Sequence, residues 1–215
     1  VSRALAPGGR TAVLTATPSL GHMARIRAGA LPCFKISARH HRHPLPVPVL
    51  IEAGDNATEA LLAEVVEARL NHSAPLLVFV PTRHRAPEVA EYLSTSAADT
   101  KIEWVHSADL QRDAKRMMFA RGECDILVST SVMERGITVE GVDVIVLDAD
   151  WEAVFDYRAL VQMAGRAGRT ASNPKGSVWF ICSRVNQHMR AAVEMIDEMN
   201  KDARERGFLD AQNGV

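Results

Sequence analysis

Short apolar runs that alternate with longer helix-like stretches constrain the fold of this chain more than any other feature. Five runs have the length and composition of buried strands: 76–80, 102–105, 125–129, 142–147 and 178–182. The intervening and following stretches predict helices over 57–71, 85–95, 109–121, 153–168 and 185–205. Because continuous apolar strands that alternate with helices are covered on both faces, we expect an α/β fold with a parallel sheet and helices on both sides.

Polar residues follow three of the predicted strands directly. They are Pro81-Thr82-Arg83, His106-Ser107 and Ser129-Thr130-Ser131. Ligands of open α/β sheets bind at the carboxyl ends of the strands. Each group alone is compatible with an ordinary loop, but three groups at one edge favour a binding surface.

Charge divides the chain into two parts, although the formal net charge is only −1. Residues 1–51 hold seven basic residues and no acidic one, whereas 52–215 hold 18 basic and 26 acidic residues. This asymmetry indicates that two differently used pieces are joined. Residues 37–48 combine three prolines with basic side chains, which predicts an extended linker rather than a packed element. A short helix is predicted over 19–28, after the turn at Thr15–Pro18.

Two Gly-Arg pairs lie three residues apart between Gln162 and Arg169. In a helical turn this spacing places the Arg166 and Arg169 guanidiniums on one side, each beside a glycine that lets other groups approach closely. Two permanently charged planar groups suit the terminal oxygens of a nucleoside triphosphate. The alternative is a pair of solvent-exposed arginines at a helix end, which the helix dipole also favours.

Four segments in this order resemble motifs III, IV, V and VI of the superfamily 2 helicases: TATP at 15–18, LLVFVPT at 76–82, STSVMERGI at 129–137 and QMAGRAGR at 162–169. The motor of that superfamily consists of two RecA-like domains with ATP in the cleft between them. The resemblance implies that residues 1–36 are the carboxyl-terminal remnant of the first domain. Residues 37–48 would then be the linker, and 49–215 the second, helicase C-terminal domain.

The resemblance narrows to the ComFA-type late competence proteins. It is carried by ISARHHRHPLPVP at 36–48, MERGITVEGVDV at 133–144 and LVQMAGRAGR at 160–169. Proteins of this type are ATP-driven motors that help to draw single-stranded DNA into naturally competent bacteria. PriA-like helicases of replication restart and DEAD-box RNA helicases share the general motifs but fit the linker less well. A non-catalytic RecA-like module that binds nucleic acid or a protein is the alternative from another class.

Motif position implies the roles of the nucleotide-binding residues. Arg166 and Arg169 resemble the catalytic arginine fingers that contact the γ-phosphate of ATP held by the other domain. Gln162 and Gly165 match motif VI positions near the nucleotide. Gly136 and Thr138 match those of motif V.

The same reasoning implies the DNA contacts. Thr82, Arg83 and Thr130 match positions that touch the DNA backbone. Thr15 and Thr17 resemble the motif III link between the state of the ATP and the grip on DNA.

ATP and Mg²⁺ are the implied cofactors, and we expect the first domain to bind most of both. This sequence has no G-x-x-x-x-G-K-[ST] phosphate loop. The run Val144–Asp148 is an apolar strand that ends in an acid, as in a magnesium-binding box. Without a phosphate loop beside it, that role is disfavoured. We therefore expect this chain alone to be inactive as an ATPase.

The histidines and cysteines do not predict a metal site. His40, His41 and His43 lie on a proline-rich segment without the rigid spacing of zinc ligands, and the three cysteines are far apart. A basic segment that contacts DNA or the domain cleft is the preferred interpretation.

The implied partners are single-stranded DNA, the first RecA-like domain of the same protein and other competence proteins. The sequence shows neither a signal peptide nor a membrane-spanning run, so we expect a cytoplasmic protein. A peripheral place at the inner face of the membrane is the alternative location.

Overall fold

The computed structural model describes residues 14–15, 17–72, 74–96, 100–130, 139–169 and 176–209. The chain divides into two compact units, Val1–Lys35 and Ile36–Val215. In the first unit, helix α1 spans Leu20–Arg27, close to its predicted bounds. The Ser19 hydroxyl caps this helix and accepts a hydrogen bond from the His22 N–H at 3.3 Å.

The second unit is built on a six-stranded parallel sheet. Its strands are β1 Val49–Glu52, β2 Leu76–Phe79, β3 Ile102–Val105, β4 Ile126–Ser129, β5 Asp143–Leu147 and β6 Val178–Cys182. The spatial order is β1-β6-β5-β2-β4-β3, and every neighbouring pair is parallel. The predicted α/β fold with a parallel sheet is confirmed.

Helices cover both faces of the sheet and separate its strands along the chain. They are α2 Ala57–His72, α3 Arg85–Ser96, α4 Arg112–Ala120, α5 Tyr157–Ala164 and α6 Gln187–Glu205. One buried cluster packs Leu61 of α2 and Leu93 of α3 against alternate strand residues such as Val78 and Ile145. The other packs Leu160 of α5 and Ile196 of α6 against the opposite strand residues, among them Phe79 and Val144. The alternation of side chains across each strand therefore divides the core into two layers.

Two differences from the predicted elements have local causes. Strand β1 was not predicted, because it follows the proline-rich segment directly and its outer residues, Val49 and Glu52, are exposed. Helix α5 begins at Tyr157 instead of 153, since the Asp156 carboxylate accepts the Ala159 N–H at 2.8 Å and caps the helix there. Burial raises the pKa of Asp156, but the hydrogen bonds from the Ala159 N–H and from Arg158 outweigh it, so the pKa is lowered.

Residues 37–48, which we call the strap, belong to the second unit and are hydrogen-bonded to α6 at two points. Asn200 of α6, which is 2% exposed, bonds both backbone groups of Leu45, at 2.7 and 2.9 Å. The Ser37 hydroxyl donates to the Asp202 carboxylate on the same helix. The prediction that this segment is not a packed element is therefore wrong: Ser37 and His41 are buried, and the Asn200 side chain bonds the backbone amide and carbonyl of Leu45. Its role as the connection between two RecA-like domains stays a prediction.

Candidate functional site

All six strands point in the same direction, so their carboxyl ends meet at one edge of the sheet. The register aligns Phe79 of β2 and Val105 of β3 with Ser129 of β4. The described polar residues that follow these three strands, from Thr82 to Thr130, therefore lie at the same edge, and their role as a binding surface stays a prediction.

Three of the predicted DNA contacts lie at this edge but differ in exposure. Thr82 is half-buried, and its hydroxyl accepts the Arg85 N–H at 3.2 Å at the start of α3. Thr130 is only 7% exposed, whereas Arg83 is exposed. Among these three, Arg83 is thus the residue whose side chain is most available to a ligand of this unit.

An ion pair holds the turn after β5 to the start of α3. The Arg85 Nε donates to the Asp148 carboxylate at 3.1 Å, and its guanidinium also bonds the Thr58 hydroxyl at 2.9 Å. Asp148 has a left-handed backbone, with φ of 54°. This carboxylate, which ends an apolar strand like an acidic magnesium box, is therefore engaged by an arginine of its own domain.

The four predicted residues of motif VI come together on α5 and the turn that follows it. Gln162 lies on the helix and is half-buried, and Gly165 ends the helix with its N–H bonded to the Val161 carbonyl at 2.9 Å. We call Gly165–Arg169 the arginine turn. Within it Arg166 is only 8% exposed whereas Arg169 is exposed.

The sequence spacing predicted that both arginines lie on one side of a helical turn. The structure instead buries Arg166 and exposes Arg169. The reason is that α5 ends at Ala164 and the chain then tightens. Arg166 and Ala167 donate their N–H groups to the Met163 and Ala164 carbonyls, and Gly168 adopts φ of 54°. The left-handed backbone at Gly168 ends the helical course of the chain between the buried Arg166 and the exposed Arg169.

Close packing against Gly176 limits the movement of the arginine turn. A Cβ at Gly176 would lie 2.5 Å from the Gly168 nitrogen and 3.1 Å from the Val142 carbonyl oxygen. The next residue, Ser177, donates its N–H to the Asp143 carboxylate at 2.6 Å. Because β5 holds Ser177 and the preceding Gly176, the arginine turn packs against the Gly176 backbone, where a side chain has no room.

Arg39 of the strap also contacts the arginine turn, and no motif in the sequence predicts this contact. Its guanidinium donates to the carbonyl oxygens of Gly165 at 2.9 Å, Ala167 at 2.7 Å and Gly168 at 2.5 Å. These acceptors are 126 to 129 residues away along the chain. No motif or spacing in the sequence links groups so distant.

The described contacts of Arg39 do not include an acid that would neutralise its positive charge. In the described part of the chain its guanidinium bonds backbone carbonyls and no carboxylate. Burial, together with the charge of Arg169, lowers the pKa of Arg39 to about 10. Arg39 remains protonated at neutral pH, so the region around the arginine turn concentrates positive charge.

The strap histidines cluster beside Arg39. The ring of His41 lies 5.2 Å from that of His40 and 5.4 Å from that of His43. Burial and the nearby charge of Arg39 lower the pKa of His41. Within the described ranges, no group of three or more His, Cys, Asp or Glu residues is placed to hold a metal ion.

The remaining predicted residues do not belong to the described part of the second unit. Gly136 and Thr138 lie outside the described residues. Thr15 and Thr17 belong to the first unit, where the Thr17 N–H bonds the Thr15 hydroxyl at 3.2 Å. In the same described ranges, no helix is long and apolar enough to cross a membrane.

The chain is similar to helicase C-terminal domains and to competence proteins. Residues 57–171 match the family described as the helicase conserved C-terminal domain. The chain is 30% identical to the competence protein ComFA of Streptococcus pneumoniae (strain ATCC BAA-255 / R6) over 94% of its length and 48% of that protein. It is 32% identical to ComFA of Bacillus subtilis (strain 168) over 87% of its length and 42% of that protein. The chain thus spans less than half of these relatives, and the resemblance to ComFA-type proteins is confirmed.

A solved structure supports the fold. S. cerevisiae Dbp5 bound to RNA and ADP BeF3 superposes with a TM-score of 0.58 and 18% identity, over 90% of this chain and 52% of that one. At this identity the likeness concerns the RecA-like fold alone.

Proposed function

Because the chain belongs to the helicase conserved C-terminal domain family, we propose that it is the second RecA-like domain of an ATP-dependent single-stranded DNA translocase. We propose further that this motor drives DNA uptake in natural competence, on the basis of the similarity to the two ComFA proteins. The observation that carries the proposal is the arginine turn, a charged turn at the end of α5 that Arg39 and Gly176 support from two sides.

The residues of the arginine turn suit a nucleoside triphosphate held by a partner domain. Arg169 is exposed, Arg166 lies three residues before it, and Gly165 has no side chain that would keep a phosphate at a distance. When bound, ATP supplies the phosphoryl group that is transferred to water. The guanidiniums of Arg169 and Arg166 stabilise the charge on the oxygens of that group. Gln162 lies on α5, four residues before Arg166. It would contact the nucleotide or relay its state.

The DNA would lie along the carboxyl edge of the sheet. Arg83 is an exposed cation there, while Thr82 and Thr130 contribute hydroxyl and backbone groups at the same edge. Contacts of this kind bind phosphates and do not read bases. We therefore expect binding that depends strongly on salt and weakly on sequence.

The remaining parts of the active site belong, in this proposal, to the first RecA-like domain. That domain would hold the phosphate loop and Mg²⁺, and closure of the two domains would bring Arg166 and Arg169 to the nucleotide. Residues 1–36 would form the end of that domain, and the strap would connect it to this one. The motor would act in the cytoplasm with other proteins of the uptake machinery.

Substitution of the two arginines in the full-length protein tests the proposal. We expect Arg166→Ala and Arg169→Ala each to lower the DNA-stimulated ATPase rate by about 10³-fold, because each removes charge that stabilises the transition state. Arg190→Ala removes an exposed arginine from α6 and serves as the control, with a wild-type rate. Wild-type rates in both turn variants would contradict the finger assignment.

The nucleic acid used by the motor is tested separately. We expect single-stranded DNA to stimulate the ATPase and the protein to displace a streptavidin block from a DNA end as it translocates. Stimulation by RNA but not by DNA, or strand displacement on forked duplexes without translocation on single strands, would favour the helicase alternatives.

A further inference from the structure

The contacts of Arg39 with the arginine turn follow from the chemistry of a helix end. The arginine turn follows the last helical residue of α5, and buried backbone carbonyls outside a helix need hydrogen-bond donors from elsewhere in the structure. At the end of α5, the oxygens of Gly165, Ala167 and Gly168 all point to one guanidinium. A planar cation with five N–H groups satisfies three such acceptors at once, which an ammonium group does less well.

The position of Arg39 is itself fixed by contacts on both sides of it. Before Arg39, Ser37 is 7% exposed and bonds Asp202 of α6. After it, Leu45 is held by both groups of the buried Asn200. The strap is thus tied to α6 at two points, and Arg39 extends from it to the end of α5.

A direct DNA contact is a poor explanation of Arg39. The sequence alone suggested that basic residues of this segment contact DNA or the domain cleft. The structure instead directs both terminal nitrogens of Arg39 to backbone carbonyls of its own domain, and the side chain is half-buried. These carbonyls belong to the residues next to Arg166 and Arg169 along the chain, so Arg39 bonds the backbone that carries both arginines.

We propose that Arg39 is a positioning residue: it holds the arginine turn in the conformation from which Arg166 and Arg169 reach the nucleotide, and thereby couples the strap to ATP hydrolysis. This inference rests on the proposed function of the two fingers. Because Arg39 bonds the backbone on both sides of Arg166, a shift of the strap moves the finger-bearing backbone directly. A change at the domain connection is transmitted to the catalytic arginines through three hydrogen bonds.

The test uses the full-length protein with single-stranded DNA and ATP at saturating concentrations. In Arg39→Ala we expect kcat to fall by about tenfold to a hundredfold, because misplaced catalytic groups lose transition-state stabilisation. The KM for ATP and the affinity for DNA should stay within about threefold of wild type. Added guanidinium ion at millimolar concentration should restore part of the lost kcat in a saturable manner. Arg190→Ala, with the same change at an exposed position, should match wild type in every measurement.

The conservative variant covers the case in which Arg39→Ala does not fold. Arg39→Lys keeps the charge but lacks the planar set of donors, so we expect a folded protein with a kcat between those of wild type and Arg39→Ala. If Arg39→Ala does not fold and Arg39→Lys has a wild-type kcat, the positioning role is overturned.

Parallel measurements on Arg166→Ala and Arg169→Ala separate the two proposals. If these variants are slow and Arg39→Ala has a wild-type kcat, the positioning role is wrong and the finger assignment stands. If both finger variants have wild-type rates, the proposed function fails first. If Arg39→Ala lowers thermal stability and kcat together and guanidinium restores neither, Arg39 is structural only and the proposal is overturned.

Discussion

Two arginines tie distant segments of this domain together, and they do so with different partners. Arg85 pairs with the Asp148 carboxylate after β5, so its charge is matched by an acid. Arg39 bonds three backbone carbonyls of the arginine turn and, within the described residues, no carboxylate. Both contacts join elements that are far apart in sequence. Among the described residues, the second contact has no acid to balance its positive charge.

The difference indicates that the Arg85–Asp148 pair belongs to the scaffold, whereas the region of Arg39 and the arginine turn is suited to bind an anion. A matched ion pair contributes little electrostatic potential beyond its immediate surroundings. An arginine bound only to carbonyls keeps its full charge, and here it lies near a second cation, since the charge of Arg169 contributes to the lowered pKa of Arg39. Such a concentration of like charge costs free energy in the empty domain and is relieved when a phosphate binds.

The largest effect in this comparison is expected from a methyl group placed under the arginine turn. In Gly176→Ala the new Cβ would meet the Gly168 nitrogen at 2.5 Å, so the turn or β5 must shift. We expect the free energy of unfolding to fall by about 2–3 kcal/mol, as for overpacked cores. Urea denaturation of the 215-residue chain measures this loss.

Gly207→Ala is the matched control, because Gly207 has φ of 68° and open space around its Cβ position. It carries backbone strain without a clash, and we expect a loss of about 1 kcal/mol. Equal losses in the two variants would show that the arginine turn is not tightly supported by Gly176.

A smaller effect is expected from breaking the scaffold ion pair. Asp148→Asn removes the charge but keeps a residue that tolerates the left-handed backbone at this position. We expect Asp148→Asn and Arg85→Met each to lower the free energy of unfolding by about 1 kcal/mol, since the pair is partly exposed. A double-mutant cycle should give a coupling energy of about the same size.

The activity of these variants distinguishes the two regions further. In the full-length protein, Asp148→Asn should keep its ATPase rate within about twofold of wild type, whereas Arg39→Ala should not. A large loss of activity in Asp148→Asn at unchanged stability would contradict the assignment of this ion pair to the scaffold.

The smallest effect concerns His41, whose pKa is lowered by burial and by the charge of Arg39. In the unfolded chain this histidine titrates near pH 6.5. Below that pH the unfolded state binds a proton that the folded state resists, so stability should fall as the pH decreases from about 7 toward 5. His41→Asn keeps an acceptor for the His43 N–H and should reduce this pH dependence by a few tenths of a kcal/mol.

Urea midpoints measured across this pH range provide the check. His84→Asn, the same substitution at an exposed position after β2, is the control. An identical slope in wild type and His41→Asn would show that the strap does not exclude a proton from His41.

Much of the fold could be predicted because its signals are local. The apolar runs are short and β-branched, and they alternate with helix-length segments, so strand and helix positions follow from neighbouring residues. Strand β1 was the exception, since its stability comes from pairing with β6 at the edge of the sheet and not from its own composition. The order of the motifs likewise located Gln162, Gly165, Arg166 and Arg169 on one segment.

The sequence by itself thus determined the parallel α/β architecture, the helicase relationship and the segment that carries the arginines. Only the tertiary structure decided that Arg166 is buried while Arg169 is exposed, that Asp148 is bound by Arg85, and that the strap is packed. Above all it brought Arg39 to Gly168, 129 residues away. Such contacts depend on where folded elements come to rest, and no periodicity or spacing along the chain encodes the distance between groups that meet only after folding.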